Sequence, residues 1–320
     1  MDDNGNELDR TGPGKNGFFP FKSTWRDHPD RNEAWADEFR NSLGEEKFKR
    51  EFEGEFISRD ETLVSSMTLR NLVSYKPIKK DINGVRWYTP LRANRTYFVG
   101  LDPSMGHAGD SEDTDGGDNS SIVVYELPSM DQVAEWRSRN TLARDQVKIL
   151  IKILISIFRG LAEEDAQESE PEIYWSFENN SMGHTIEEII HSTGEDSFPG
   201  VLVNEPHKSG GVKKRRGLNT NQKTKLQACS SLKTYLESNR LTVKSAAIIS
   251  ELKNYVVSAG SYRARWGSGD DLIAATLVCL RMMLIVSKWD STVLESVSSA
   301  IDLSEVGLRD DVEPLPVFIL

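Results

Sequence analysis

The sequence predicts an α/β fold: a mixed central sheet, part antiparallel meander and part parallel, flanked by helices. Three observations carry this. Three strand-like runs follow one another at Thr96–Leu101, Ser121–Leu127 and Gln132–Arg137 and read as an antiparallel meander, its first hairpin enlarged by the acidic loop 105–119. A long amphipathic stretch, 142–161, then separates them from a fourth apolar run, Glu172–Phe177. A strand–helix–strand unit of that kind places its second strand parallel in the same sheet.

Each element has its own signal. Before the meander, Asp30 or Asn32 is a candidate cap for a helix carrying Trp35, Phe39 and Leu43, with Gly44 as its stop. Phe48, Phe52 and Phe56 recur every four residues and mark one helix face, read as core. Asn83-Gly84 is a turn signal ahead of a possible strand at Val85–Tyr88. In 142–161, Val147, Leu150, Ile151, Leu154 and Phe158 share a face. Further helices are expected over Ser181–Ser192, Asn221–Glu237, Ile248–Val257 and Asp270–Lys288. Gly200–Asn204 reads as a strand and Leu241–Val243 as a short strand or edge. The domain reading is a flexible lead-in at 1–22, a helical and irregular segment at 23–94, the α/β domain at 95–288 and a tail at 289–320.

Composition limits the function classes. The 320 residues can bury a sizeable core. No apolar run approaches the roughly 20 residues of a membrane span, so no membrane partner is expected. The acidic, polar start (Met1-Asp-Asp-Asn-Gly-Asn6) is unlike a signal or transit peptide. Two cysteines, Cys229 and Cys279, in apolar helical patterns argue against a disulfide framework or a cysteine zinc site and fit a reducing cytoplasm. Net charge is −11, unevenly spread. Asp110–Asp118 holds five acids and Glu163–Glu172 six, whereas Lys208, Lys213, Lys214, Arg215, Arg216, Lys223 and Lys225 form a segment with no acid. Flexible glycines among dense cations suit contact with phosphates without base readout, so these seven residues are the candidate DNA contacts. Trp266, between Arg265 and Gly267, fits either a groove lining or the core. The acidic loop 110–118 fails as a calcium loop, because Ile122 stands where the bidentate Glu belongs.

The chemistry concentrates in three acids at element ends. Asp102 closes the first meander strand, Glu178 closes the strand after the long helix, and Asp270-Asp271 opens a late apolar helix. Hydrolysis of a phosphodiester needs an activated water and a stabilised leaving oxygen, which two divalent ions supply. Mg²⁺ and Mn²⁺ take carboxylate oxygen, so Asp and Glu are the expected ligands. Asp is a favoured helix cap, so capping is assigned to Asp270 and the ligand role to Asp271, with Asp270 kept as an alternative ligand.

Gly100-Leu-Asp102-Pro-Ser-Met-Gly106, Trp175-Ser-Phe-Glu178-Asn-Asn180 and Gly269-Asp-Asp271-Leu-Ile-Ala-Ala275, in this order, resemble the ribonuclease H-like nucleases. More closely they resemble the nuclease half of the large terminase subunit of tailed bacteriophages. Thr24-Trp25 through Trp35 and Leu43 through Phe56 are similar to the family's segment between ATPase and nuclease. The resemblance implies a ribonuclease H-like fold and a two-metal endonuclease that cuts concatemeric viral DNA with little sequence preference. It implies ligand and catalytic roles for Asp102, Glu178 and Asp271, and Mg²⁺ or Mn²⁺ as cofactor. Its implied partners are double-stranded DNA, the ATPase domain of the same motor, the portal protein and the small terminase subunit, in the host cytoplasm. Two departures stand out. The chain contains no Gly-x-x-x-x-Gly-Lys-Ser/Thr phosphate loop, so it reads as the C-terminal half of a motor without the ATPase. Gly269 stands where many relatives carry His. A resolvase- or transposase-type nuclease and a non-catalytic DNA- or portal-docking module are the alternatives.

Overall fold

The computed structural model describes residues 24–43, 48, 52, 62–92, 94–105, 119–162, 172–180, 182–206, 216–258 and 260–298. The chain forms two compact units, Met1–Asp60 and Glu61–Leu320.

In the first unit, Asn32 caps helix α1 (Glu33–Leu43) by accepting the Trp35 backbone N–H at 2.9 Å. Trp25, Ala36 and Phe48 are buried, with Trp35, Phe39 and Phe52 packed against them. The Trp35 and Phe39 rings lie 4.6 Å apart, and Arg31 stacks over Trp35 at 4.6 Å. Phe48 and Phe52 thus form the expected apolar face; Gly44 and Phe56 lie outside the described residues.

The second unit is built on a seven-stranded sheet. Its strands are β1 (Lys79–Lys80), β2 (Arg86–Trp87), β3 (Thr96–Asp102), β4 (Ser120–Leu127), β5 (Asp131–Ser138), β6 (Glu172–Phe177) and β7 (Val201–Leu202), in the order β1-β2-β5-β4-β3-β6-β7. The pairs from β1 to β3 are antiparallel, and β3–β6 and β6–β7 are parallel. This is the mixed sheet flanked by helices expected from the sequence, with the parallel strand β6 following helix α3 (Ala143–Ala162; α2 is the short Ser66–Asn71).

The alternation of β3 explains the layering. Tyr97, Val99 and Leu101 point to one face, where they meet Val147, Leu150 and Leu154 of α3 and Ile186 and Ile190 of α4 (Gly183–Thr193). Phe98 points to the other face, where α5 (Gln222–Glu237), α6 (Ala246–Lys253), α7 (Asp271–Val286) and α8 (Ser291–Ser298) pack. Fourteen of the sixteen residues of α7 are buried, as expected of a helix that is apolar nearly all round. It lies so close to β3 that a Cβ at Gly100 would stand 2.5 Å from the Ala275 carbonyl oxygen and 2.9 Å from Cys279 Sγ.

Four expectations change. The helix expected over Ile248–Val257 starts at Ala246 on the Ser245 cap and ends at Lys253; Tyr255–Ser258 is strand β8, paired with β9 (Ser261–Ala264). The β-branched Val256-Val257 pair and Gly260, at φ +75°, favour a hairpin over continued helix. In the tail, α8 begins where Asp290 accepts the Thr292 and Val293 backbone N–H groups at 2.9 and 3.3 Å. The strand at Gly200–Asn204 shortens to Val201–Leu202, and Leu241–Val243 contributes one bridge, Thr242 to Asp131.

Gly100→Ala is expected to lower folding stability by about 1–3 kcal/mol, because the obstructing atoms include main chain that cannot rotate away. Chemical denaturation checks this; an unchanged midpoint would show that α7 is not held this close to β3.

Candidate functional site

The register brings Asp102 and Glu178 side by side. Leu101 pairs with Phe177 across the parallel β3–β6 ladder, and the Glu178 backbone N–H donates to the Leu101 carbonyl at 2.9 Å. Both acids therefore leave the carboxyl ends of neighbouring strands, the fifth and sixth of the seven. Helix α7 begins at the same end. The Ser121 hydroxyl donates to the Asp271 backbone carbonyl at 2.6 Å, and Ser121 is the β4 partner of Asp102.

The four acids act on one another. The Asp102 carboxyl is held well above the usual carboxylate range, first by burial, then by a hydrogen bond and charge repulsion from Glu178, and then by the charges of Asp271 and Asp270. Glu178 also accepts from Asn180 Nδ2 at 2.8 Å. Asp271, 5% exposed, is gripped at both oxygens by Asn119, through the backbone N–H at 3.0 Å and Nδ2 at 2.7 Å. Asp270 takes the N-cap position expected of it, but its side chain makes no capping bond.

Two contributors are not evident from the sequence. Asn119 follows the acidic loop and resembles any polar loop residue until β4 sets it opposite Asp271. Glu251, 5% exposed, accepts the Ile273 backbone N–H of the first turn of α7 at 3.0 Å and pairs with Arg137 at 3.0 Å. Burial pushes its carboxyl up to about 8, with repulsion from Asp271 and Asp270 adding to it against the Ile273 hydrogen bond and the attraction of Arg137. It ties α6 to the opening of the metal-candidate helix.

The donor set is carboxylate oxygen throughout, the chemistry that Mg²⁺ or Mn²⁺ takes, and a cation would relieve the repulsion that lifts Asp102. Among the described residues no three His, Cys, Asp or Glu side chains already converge as a metal cage. In this structure Asn119 donates to both oxygens of Asp271. Asp102, Glu178 and Asp271 fit a cation by placement and donor type, with rotation of their carboxyls.

Of the seven candidate DNA contacts, Lys208, Lys213, Lys214 and Arg215 lie outside the described residues, as does the acidic loop 110–118. Both feet of the basic segment are described. The Glu205 backbone N–H donates to the Gly217 carbonyl at 3.1 Å, and Arg281 of α7 pairs with Glu205 and donates to the Asn219 carbonyl. The Leu218 N–H donates to the Phe177 carbonyl and the Asn179 N–H to the Leu218 carbonyl, both at 2.9 Å, so the segment returns directly beside Glu178. Arg216 pairs with Glu195, Lys223 is exposed, and Lys225 Nζ lies 5.7 Å from the Tyr255 ring centre.

No protein-family model matches the chain. Among solved structures it is similar to the magnesium-bound large terminase nuclease of the thermophilic phage G20c, at 16% identity over 70% of this chain and 98% of that one, TM-score 0.48. It is also similar to the large terminase nuclease domain of Thermus phage P74-26, at 17% identity over 68% and 94%, TM-score 0.44. The human cytomegalovirus terminase nuclease domain matches at 11% identity over 69% and 94%, TM-score 0.42.

A carboxyl raised in the folded state adds stability below its unfolded pKa and loses it as pH rises through the folded value. Without divalent ions, thermal stability at pH 8 is therefore expected to be higher in Asp102→Asn than in the unsubstituted chain, with the gap closing toward pH 4. Mn²⁺ should stabilise only the unsubstituted chain, and more at pH 8 than at pH 5. A lower melting temperature for Asp102→Asn in EDTA at pH 8 would contradict the repulsion. Asn119→Ala is expected to cost about 2 kcal/mol in denaturant unfolding, since it removes a hydrogen bond to a buried charge. Asn119→Asp should cost more, by setting like charges together.

Proposed function

We propose that this chain is a divalent-metal-dependent endonuclease acting on double-stranded DNA, of the kind that cuts concatemeric viral genomes during packaging. The observation that carries this reading is the assembly of Asp102, Glu178, Asp270 and Asp271, from three distant segments, at one end of a mixed sheet. Nothing in the core requires four acids there, and their mutual repulsion opposes folding. The basic segment returning beside Glu178 supplies the opposite sign where a DNA strand would lie.

In this reading Asp102, Glu178 and Asp271 hold the metal, with Asp270 beside them. Bound Mg²⁺ or Mn²⁺, two ions in the resemblance, would supply a water nucleophile at neutral pH and stabilise the leaving oxygen. The residues of the chain prepare for this. The raised Asp102 carboxyl gives up its proton to take the cation. Asn119 and Ser121 fix the start of α7, and Glu251 holds its first turn. Lys208, Lys213, Lys214, Arg215, Arg216, Lys223 and Lys225 neutralise phosphates without reading bases, which fits weak sequence preference. The partners follow from the sequence resemblance: an ATPase domain of the same motor, a portal protein and a small terminase subunit, in the host cytoplasm.

One observation favours a second reading. The Asn119 grip satisfies Asp271 without a cation, as expected of a DNA- or portal-docking module whose acids are structural. Supercoiled plasmid incubated with the chain and Mg²⁺ or Mn²⁺ separates the two. Nicking and linearisation are expected, absent in EDTA, and Asp102→Asn or Glu178→Gln should slow them by about 10³-fold or more, the several kcal/mol of a lost metal site. Cleavage that survives both substitutions would overturn the assigned site, and an inert unsubstituted chain would favour the docking module.

A further inference from the structure

Trp266 is fully exposed, at 100% of its possible surface. An indole carries 150–250 Å² of largely apolar surface and seldom stands free in water. Its mount is rigid. Hairpin β8–β9 is tied down by buried Tyr255, whose carbonyl accepts the Leu63 N–H at 2.9 Å, and by Gln222 Nε2, which donates to the Gly260 carbonyl at 3.3 Å. At its end the Arg265 N–H donates to the Asn254 carbonyl at 2.9 Å. The Ser268 N–H then closes the turn onto the Arg265 carbonyl at 2.9 Å, with Gly267 at φ +80°. The backbone is thus fixed on either side of an unpacked indole.

Charge and position narrow what covers it. From Leu252 to Gly269 there are three cations, Lys253, Arg263 and Arg265, and no acid, in a chain with 50 acids and 39 lysines and arginines. Lys253 and Arg263 are exposed. The Gln222 contact joins the hairpin to the start of α5, which carries Lys223 and Lys225. An apolar protein partner would not need this cationic frame, whereas a polyanion with stackable faces matches both parts. Trp266 lies four residues before Asp270, within about 14 Å along the chain, or about four base-pair steps at 3.4 Å each.

We infer that Trp266 stacks on a DNA base close to the cut phosphate, on a hairpin face where Arg263 and Lys253 contact the backbone. The inference rests on the nuclease reading above and adds a base contact to a surface otherwise built for phosphates. Such a contact is tolerant of sequence, because every base presents a π-face, and it favours steps that are unpaired or easily unstacked.

The test uses the full chain silenced by Asp102→Asn and a labelled duplex carrying one unpaired base, with binding followed by fluorescence anisotropy over a salt series. Adding Trp266→Ala should weaken binding about tenfold, while Trp266→Phe should retain most of it. The slope of affinity against salt should stay unchanged in Trp266→Ala and fall by about one in Arg263→Ala. Because the indole is exposed, neither Trp266 variant should alter the melting temperature. Binding by Trp266→Ala equal to that of its parent would overturn the stacking role while leaving the nuclease reading in place. A parent that binds no duplex, and an unsilenced chain that cuts none, would overturn both.

Discussion

The close packing of helix α7 across β3 is the constraint on which the rest depends. A helix can approach a strand this nearly only where the strand offers no side chain, and Gly100 is that place: the Ala275 carbonyl and Cys279 occupy the space a Cβ would take. Two residues further along β3 lies Asp102, and four residues before Ala275 lies Asp271. The apolar contact at Gly100 therefore sets the acid-to-acid geometry at the sheet end, with Ser121 and Glu251 locking the first turn of the helix on either side. Hydrophobic burial along α7 holds together charges that would otherwise separate, and the lifted Asp102 carboxyl is the electrostatic consequence.

Much of this was legible in the sequence, for identifiable reasons. Strand β3 is a continuous buried, largely apolar run that ends in an acid, so both the strand and Asp102 stand out. Glu172–Phe177 does the same, and its parallel pairing follows from the helix before it. What was hidden depends on tertiary neighbours. Asn119 and Glu251 acquire their roles only when β4 and α6 arrive beside α7. The run Ile248–Val257 is apolar at helical spacing, which masked the change to a strand at Tyr255; the signals against helix were Val256-Val257 and Gly260. Helix α8 was hidden by its short length, although Asp290 as cap and Val293 and Val297 four apart mark it. The choice between Asp270 and Asp271 was half legible: position and burial single out Asp271, but Asp270 occupies the cap site without a capping bond.

The charge distribution bears on the polyanionic substrate proposed for this acidic chain. Net charge of −11 predicts poor affinity for DNA only if it is spread evenly. Among the described residues, Arg216 stands at the foot of the basic segment beside Glu178, Lys223 and Lys225 at the start of α5, and Arg263 and Arg265 on and just after the β8–β9 hairpin.

The central claim is that Asp102, Glu178 and Asp271 form one divalent-cation site. Anomalous diffraction from crystals of the full chain soaked in Mn²⁺ tests it most directly. Manganese peaks bounded by these three carboxylates are the predicted result. Saturating Mn²⁺ that leaves this end of the sheet without a peak would contradict it.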